Sequence, residues 1–400
     1  MIIRNIKFSL LLGSLLFFSA CAPSSTEMRQ MNSNLMSGNV NMNSNETLPP
    51  VNAIDTDLPL DSIKLPDGFS ISLFAKDIDG ARSLTLGKEG TVFVGTKEKG
   101  VVYALQDTNK DGVADKTTII AKGLNQPNGV AYLDGNLYVA EISRILKFEN
   151  IDQNIKENAL FRVINDSYPK ETYHGWKFIA IGPDKKLYIP VGAPCNVCER
   201  DSTYENITRM NLDGTGKEVF ATGVRNTVGF DWKPGTDELW FTDNGRDLLG
   251  DNLPPDELNR AEKAGLNFGF PYCHGGDLLD REFGKGKNCA DYIAPVQKLG
   301  AHMAALGMRF YTGNLFPAEY KDQIFIAQHG SWNSSVPVGY KISLVKLNGN
   351  TASSYEDFAT GWLKDGKVWG RPVDVQVLPD GSMLVSDDQA GVVYRITYQR

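Results

Sequence analysis

One short phrase recurs six times along this chain: an alternating strand, a turn rich in Pro, Asp or Gly, and a second strand rich in Leu, Tyr, Phe, Trp and Val. Its copies begin at Arg82 (RSLTLGKEGTVFVGT), Asn128 (NGVAYLDGNLYVAE), Trp176 (WKFIAIGPDKKLYIPVG), Asn226 (NTVGFDWKPGTDELWFTD), Gly307 (GMRFYTGNLFPAEYKDQIFIAQ) and Arg371 (RPVDVQVLPDGSMLVSDD). Apolar residues alternate on both sides of a turn that Gly and Asp can make, so each copy reads as a β-hairpin. The starts lie 46, 48, 50, 81 and 64 residues apart, the period of a propeller blade with two blades enlarged. The expectation is an all-β, six-bladed β-propeller.

That geometry says where to look for chemistry. If each turn lies at one end of a blade, the residues before the first strand and after the second meet at the other end, around one channel mouth. Ahead of the first strands stand Arg82, Asn128, His174, Arg225 with Asn226, and Arg371. After the second strands come Glu141, Cys195, Asn244-Gly245-Arg246, Gln328-His329 and Asp387-Asp388. The rim is polar and charged while the strands between are not, the usual division between binding loops and scaffold. Arginines there suit an anionic ligand, since a guanidinium holds a carboxylate with two parallel bonds. The competing reading is that they neutralise nearby acids such as Asp231 and Asp374.

The rest of the chain fits one large domain over residues 61–400. Helical periodicity is weak, with one short helix expected over DELNRAEKA, Asp256 to Ala264. A net charge of −7 and no Lys/Arg stripe exclude a nucleic-acid partner. At the N-terminus, Arg4 and Lys7 precede the apolar run FSLLLGSLLFFSA, which reads as a secretory signal over residues 1–20. Phe18-Ser19-Ala20-Cys21 resembles a bacterial lipoprotein cleavage box, so Cys21 is expected to carry lipid. Residues 21–60, full of Asn, Ser, Met and Pro, then form a flexible tether. The implied location is the cell envelope, as a periplasm-facing lipoprotein held in the outer membrane of a Gram-negative cell by the anchor alone. Outside the cytoplasm, Cys195, Cys198, Cys273 and Cys289 are expected in two disulfides, with connectivity open and zinc as the alternative.

Four histidines exist: His174, His274, His302 and His329. His174, in Tyr173-His174-Gly175-Trp176, precedes a first strand at the channel mouth and suits a general base at neutral pH. His329 also reaches the mouth, whereas His274 and His302 read as structural. Two acidic segments suggest hard cations: Asp107-Thr108-Asn109-Lys110-Asp111-Gly112 with Asp115, and the stretch bearing Asp247, Asp251, Asp256 and Glu257. The first lacks the Glu that closes a full calcium loop, Thr118 standing in its place, and reads equally as a solvated turn.

From about residue 61 to 398 the chain resembles the soluble sugar dehydrogenases that use pyrroloquinoline quinone (PQQ), and their L-sorbosone dehydrogenase-like branch in particular. The strings YHGWKF, PVGAPCNVC, GVRNTVGFDW, WFTDNGRD, PPDELNRA, FGFPYCHGGD, HGSWN and GRPVDV carry the resemblance. It implies a six-bladed propeller, in line with the repeat count, and an enzyme with PQQ and calcium that oxidises an aldose, a sorbosone-like sugar aldehyde or a related small alcohol. By position it makes His174 the base, and Arg225, Asn226 and Asn244 contacts of the quinone. The carbonyls of Gly245 and Arg246 would bind the cofactor's calcium, Glu257 with Asp256 a nearby calcium, and Arg371 a cofactor carboxylate. The electron acceptor, a cytochrome or a quinone, is not named by the sequence. Three departures stand out: Val373 replaces a second arginine, Tyr173 an acid, and no lysine lies near Gln328-His329, so Arg82 or His329 is expected to supply charge. The alternatives are a calcium-dependent lactonase-type hydrolase and a non-enzymatic envelope propeller that binds a ligand.

Overall fold

The computed structural model describes Ile54 and residues 56–399; the signal, Cys21 and most of the tether lie outside the described residues. Blade I comprises Ala81–Leu86, Val92–Thr96, Val101–Gln106 and Lys116–Lys122. Blade II comprises Gly129–Leu133, Asn136–Ala140, Ile145–Phe148 and Arg162–Asn165, and blade III Ala180–Ile181, Leu187–Val191, Asn206–Met210 and Glu218–Thr222. Blade IV comprises Gly229–Trp232, Leu239–Asp243, Pro255–Ala261 and Gln297–Ala301, and blade V Ala305–Phe310, Ile324–Gln328, Lys341–Asn348 and Thr351–Ala359. Blade VI takes Pro372–Val377, Met383–Asp387 and Val392–Tyr398 from the C-terminal end and its outer strand, Phe69–Ala75, from the N-terminal end. All six expected hairpins are the inner pairs of these blades, and the six-bladed, all-β expectation is met.

Burial explains why the inner hairpins were the readable part. Second strands such as Val92–Thr96 and Leu187–Val191 are buried at every position, because neighbouring blades cover both faces. Outer strands such as Lys116–Lys122 are largely exposed, and their pattern carries less signal. The ring closes where Phe69–Ala75 pairs antiparallel with Val392–Tyr398, Phe69 opposite Tyr398. There the Phe69 ring meets Phe316 at 4.8 Å, Tyr320 at 5.2 Å, Phe358 at 5.0 Å and Tyr398 at 4.9 Å between centroids, fastening both ends of the domain to blade V.

Buried polar groups stitch adjacent blades. Asp374 of blade VI accepts the Leu84 amide of blade I at 2.9 Å, Asp231 of blade IV accepts Phe310 N of blade V at 3.0 Å, and Thr242 Oγ1 donates to Leu306 O at 2.6 Å. Burial raises the Asp231 and Asp374 carboxyls, and the arginine beside them is Arg309. Arg225 and Arg371 pair with neither; Arg225 pairs with Asp247 instead.

The helix expected at Asp256–Ala264 is a strand instead. Pro255–Ala261 lies between Leu239–Asp243 and Gln297–Ala301, with Asp243 opposite Glu257. Its good helix formers yield to tertiary context: Asp256, Leu258 and Asn259 are fully enclosed, and a helix would forfeit both ladders. The disulfides are Cys195–Cys198 and Cys273–Cys289, the second within the enlargement of blade IV. The Asp107–Asp115 segment is a turn between the outer strands of blade I, in which Asp107 accepts the Asp111 and Gly112 amides and Asp115 accepts from Thr108.

Candidate functional site

Rim residues from all six blades enclose one cavity of about 520 Å³, within the range of small-molecule sites. Its wall includes His174, Arg225, Asn226, Asn244, Gly245, Asp256, His329 and Arg371, and Arg82 besides. Other expected rim residues stand behind the wall. Asn128 accepts Arg82 Nε at 2.8 Å, Asp388 bridges Arg82 and His329 at 2.8 Å each, and Glu141 accepts the Asn125 amide.

His174 owes its place to the segment that follows Leu187–Val191. The residue adopts a left-handed backbone (φ 49°), and its Nδ1 lies 2.9 Å from the Ala193 carbonyl. A carbonyl can only accept, so the proton sits on Nδ1 and Nε2 keeps its lone pair. Burial, and then the positive charge of Arg225, push the imidazole well below its usual range. Neutral at physiological pH, with one basic nitrogen uncommitted to the protein, His174 is equipped to accept a proton. Beneath it, Lys177 is enclosed, donates to Gly175 O at 2.8 Å, and is pushed down by burial to about 7.

Arg225 and Asn226 are set by Asp243, whose carboxylate accepts both their amides at 2.8 and 2.7 Å. Four of the five Arg225 N–H groups are used within the protein: Nε on Asn196 O (2.8 Å), Nη1 on Asn244 O (3.2 Å), and Nη2 on Asn196 Oδ1 (3.0 Å) and Asp247 Oδ2 (3.1 Å). Arg371 is less committed. It donates only to the carbonyls of His329 (3.0 Å) and Gly330 (2.9 Å), and among the described residues it has no carboxylate in ion-pair range. His329 donates to Asp388, and burial lowers its imidazole to about 4, so it adds no positive charge at neutral pH.

The four expected calcium residues divide. Gly245 and Asp256 reach the cavity, and both Asp256 oxygens are occupied by the Gly245 (2.9 Å) and Ala305 (3.1 Å) amides. Arg246 turns its guanidinium away to Asp280 at 2.6 Å and Glu282 at 3.1 Å. Glu257 lies behind the wall in a void of about 10 Å³ with Asp243 and His274, and accepts from Gly275 N and Asn259. Burial raises Asp243 and Asp256 to about 6 and Glu257 to about 7. Among the described residues no three of His, Cys, Asp and Glu converge as a metal-ligand set. A calcium beside Gly245 would therefore rely on backbone carbonyls and on oxygens of its ligand.

Several wall residues escaped the sequence reading. Lys97, just past the second strand of blade I, stacks 3.9 Å over the Trp176 ring and pairs with Glu98 at 3.0 Å. The same rule that named Gln328-His329 would have found it. Trp176 Nε1, Gln126 Oε1 and Asn333 Oδ1 belong to wall residues, are buried, and have no hydrogen-bond partner among the described residues. Such orphaned groups are costly unless a ligand or water completes them. A polar ligand that presents a carboxylate to Arg371 fits this wall, the charge of Arg82 being already met by Asp388.

Comparison with known proteins agrees with the architecture. An uncharacterized protein of Borreliella burgdorferi is 36% identical over 354 residues, which span 85% of this chain and 92% of that one. Among solved structures, the calcium structure of a Trichoderma reesei carbohydrate-active enzyme of family AA12 superimposes with a TM-score of 0.74 at 18% identity, covering 88% of this chain and 100% of that chain. The holo PQQ domain of pyranose dehydrogenase from Coprinopsis cinerea gives 0.73 at 17% identity, again over 88% and 100%. At such identities the likeness concerns the fold alone, the six-bladed propeller described above. A family described as a domain of unknown function (DUF7133) matches residues 56–395, and the chain belongs to that family.

Proposed function

We propose that this protein is a PQQ-dependent oxidoreductase that oxidises an aldose, a sorbosone-like sugar aldehyde or a related small alcohol. The observation that carries the reading is the pairing, in one cavity, of a neutral imidazole with Nε2 uncommitted and an arginine without a carboxylate partner. His174 Nε2 takes the proton of the substrate hydroxyl, which for an aldehyde is a hydroxyl of its hydrate, and the Ala193 carbonyl keeps the imidazole in the tautomer that can do so. Arg371 holds a ligand carboxylate, while Asn226 and Asn244, with the remaining N–H groups of Arg225 and Arg82, face polar ligand atoms. The backbone carbonyls of Gly245 and Arg246 are the groups that would hold the cofactor's calcium beside the cavity, and Glu257 with Asp256 a second calcium nearby. When bound there, PQQ would supply the acceptor for the hydride leaving the substrate carbon, with calcium stabilising the charge that arrives.

The test is dye reduction by purified protein reconstituted with PQQ and calcium, across a panel of aldoses, sugar aldehydes and small alcohols. Turnover that requires both PQQ and sugar is expected. Absence of PQQ uptake, or lactone hydrolysis that needs no PQQ, would overturn the reading. The proposal extends to a lipid on Cys21, an envelope location and a cytochrome or quinone as electron acceptor. Palmitate incorporation in cells, lost in Cys21→Ser, checks the anchor.

A further inference from the structure

One six-residue stretch, Ala193 to Cys198, touches both the imidazole and the guanidinium of the cavity. Ala193 accepts His174 Nδ1 through its carbonyl and donates its amide to Arg225 O at 2.8 Å. Three residues on, Asn196 makes four bonds. Its carbonyl accepts Arg225 Nε and its Oδ1 accepts Arg225 Nη2; the same Oδ1 accepts the Asp247 amide at 2.8 Å, and Nδ2 donates to Asp247 O at 3.1 Å. Asp247 in turn pairs with Arg225. The Cys195–Cys198 disulfide closes a ring around Asn196 and Val197, and no regular strand holds this segment. Asn196 is thus the hub through which blade III sets an arginine that belongs to the start of blade IV.

We propose that Asn196, held in the Cys195–Cys198 ring, is a positioning residue that fixes the Arg225 guanidinium at the cavity wall. Its side-chain oxygen is what holds Arg225 and the Asp247 amide, and its nitrogen adds a bond to Asp247 O. The ring supplies what the sheet does not, a constraint on the backbone at residue 196. The consequence for ligand binding rests on the reading of the cavity given above; the placement of Arg225 does not.

The experiment follows the Arg225 Nη2–H resonance, the one whose acceptor is the Asn196 side chain, in ¹⁵N–¹H spectra of the protein, assigned by its loss in Arg225→Lys, with PQQ titrations alongside. In Asn196→Ala the resonance should vanish into solvent exchange and the PQQ dissociation constant should rise at least ~10-fold, the size of one charge-assisted bond. Asn196→Asp keeps the acceptor for Arg225 and should retain the resonance. The Cys195→Ser/Cys198→Ser double variant should broaden it. An unchanged resonance in Asn196→Ala overturns the inference; a lost resonance with unaltered PQQ affinity bears out the placement of Arg225 and refutes its part in holding PQQ. If the double variant matches the parent, the ring is not what holds Asn196, and the proposal fails as stated. A parent protein that takes up no PQQ refutes the proposed function, and the resonance still decides whether Asn196 places Arg225.

Discussion

Replacing Gly192 by Ala should displace the base while leaving the fold in place. Gly192 directly follows the strand Leu187–Val191, against His174. A Cβ there would stand 2.6 Å from His174 Cβ, 3.0 Å from its carbonyl oxygen and 3.2 Å from Arg225 O. Carbon–carbon contact is comfortable from about 3.5 Å, so His174 has to retreat by about 0.9 Å (3.5 less 2.6 Å). Its left-handed backbone and its bond to Ala193 leave little room to absorb that shift locally. A displacement of about 1 Å at a reacting group costs on the order of 10²-fold in rate, or about 2.7 kcal/mol. Overpacking should cost about 1–3 kcal/mol of stability, a comparable amount that thermal denaturation reads separately from turnover. The assay is dye reduction by protein reconstituted with PQQ and calcium, with thermal denaturation as the control. Gly192→Ala with the parent kcat and an unchanged melting midpoint would refute the placement of His174 as the base.

Other outcomes follow from the same geometry. His174 acts as neutral imidazole and its pKa lies below 6.5, so kcat/KM should stay flat as pH falls from about 8 past 6.5 and decline only further into acid; an acid limb centred at or above 6.5 contradicts this. Arg371→Ala should raise the PQQ dissociation constant about 10- to 100-fold by calorimetry, the value of one or two bonds at about 1.5–3 kcal/mol. Phe69→Ala at the ring closure should cost about 2–4 kcal/mol in denaturant unfolding, its half-buried ring losing four aromatic contacts. A cost below about 1 kcal/mol would show that closure does not depend on this cluster.

The blade count was legible because each inner hairpin is self-contained: its pairing is local, and its apolar run reports burial from both sides. DELNRAEKA misled for the converse reason. Its composition favours helix, but the partners that make it a strand lie at Leu239–Asp243 and Gln297–Ala301, and no local pattern announces them. At the site, titratable residue types in rim positions pointed to His174, Arg225 and Arg371. What hairpin logic could not show is which polar groups face the ligand and which hold other groups in place. Asp256 reads as a ligand by charge, yet its oxygens accept the Gly245 and Ala305 amides, and Asp243, which the sequence did not single out, accepts those of Arg225 and Asn226. Asn196 reads as an unremarkable loop residue between cysteines, and its role follows only from where blade IV places Arg225 and Asp247.

The most direct test of the central claim compares the parent protein with His174→Ala by absorbance during PQQ and calcium titration, followed by addition of sugar. The account predicts that both take up PQQ, that the parent then shows reduction of the bound quinone, and that His174→Ala does not. Equal reduction in the two proteins would remove His174 as the base, and absence of PQQ uptake by the parent would contradict the account at its foundation.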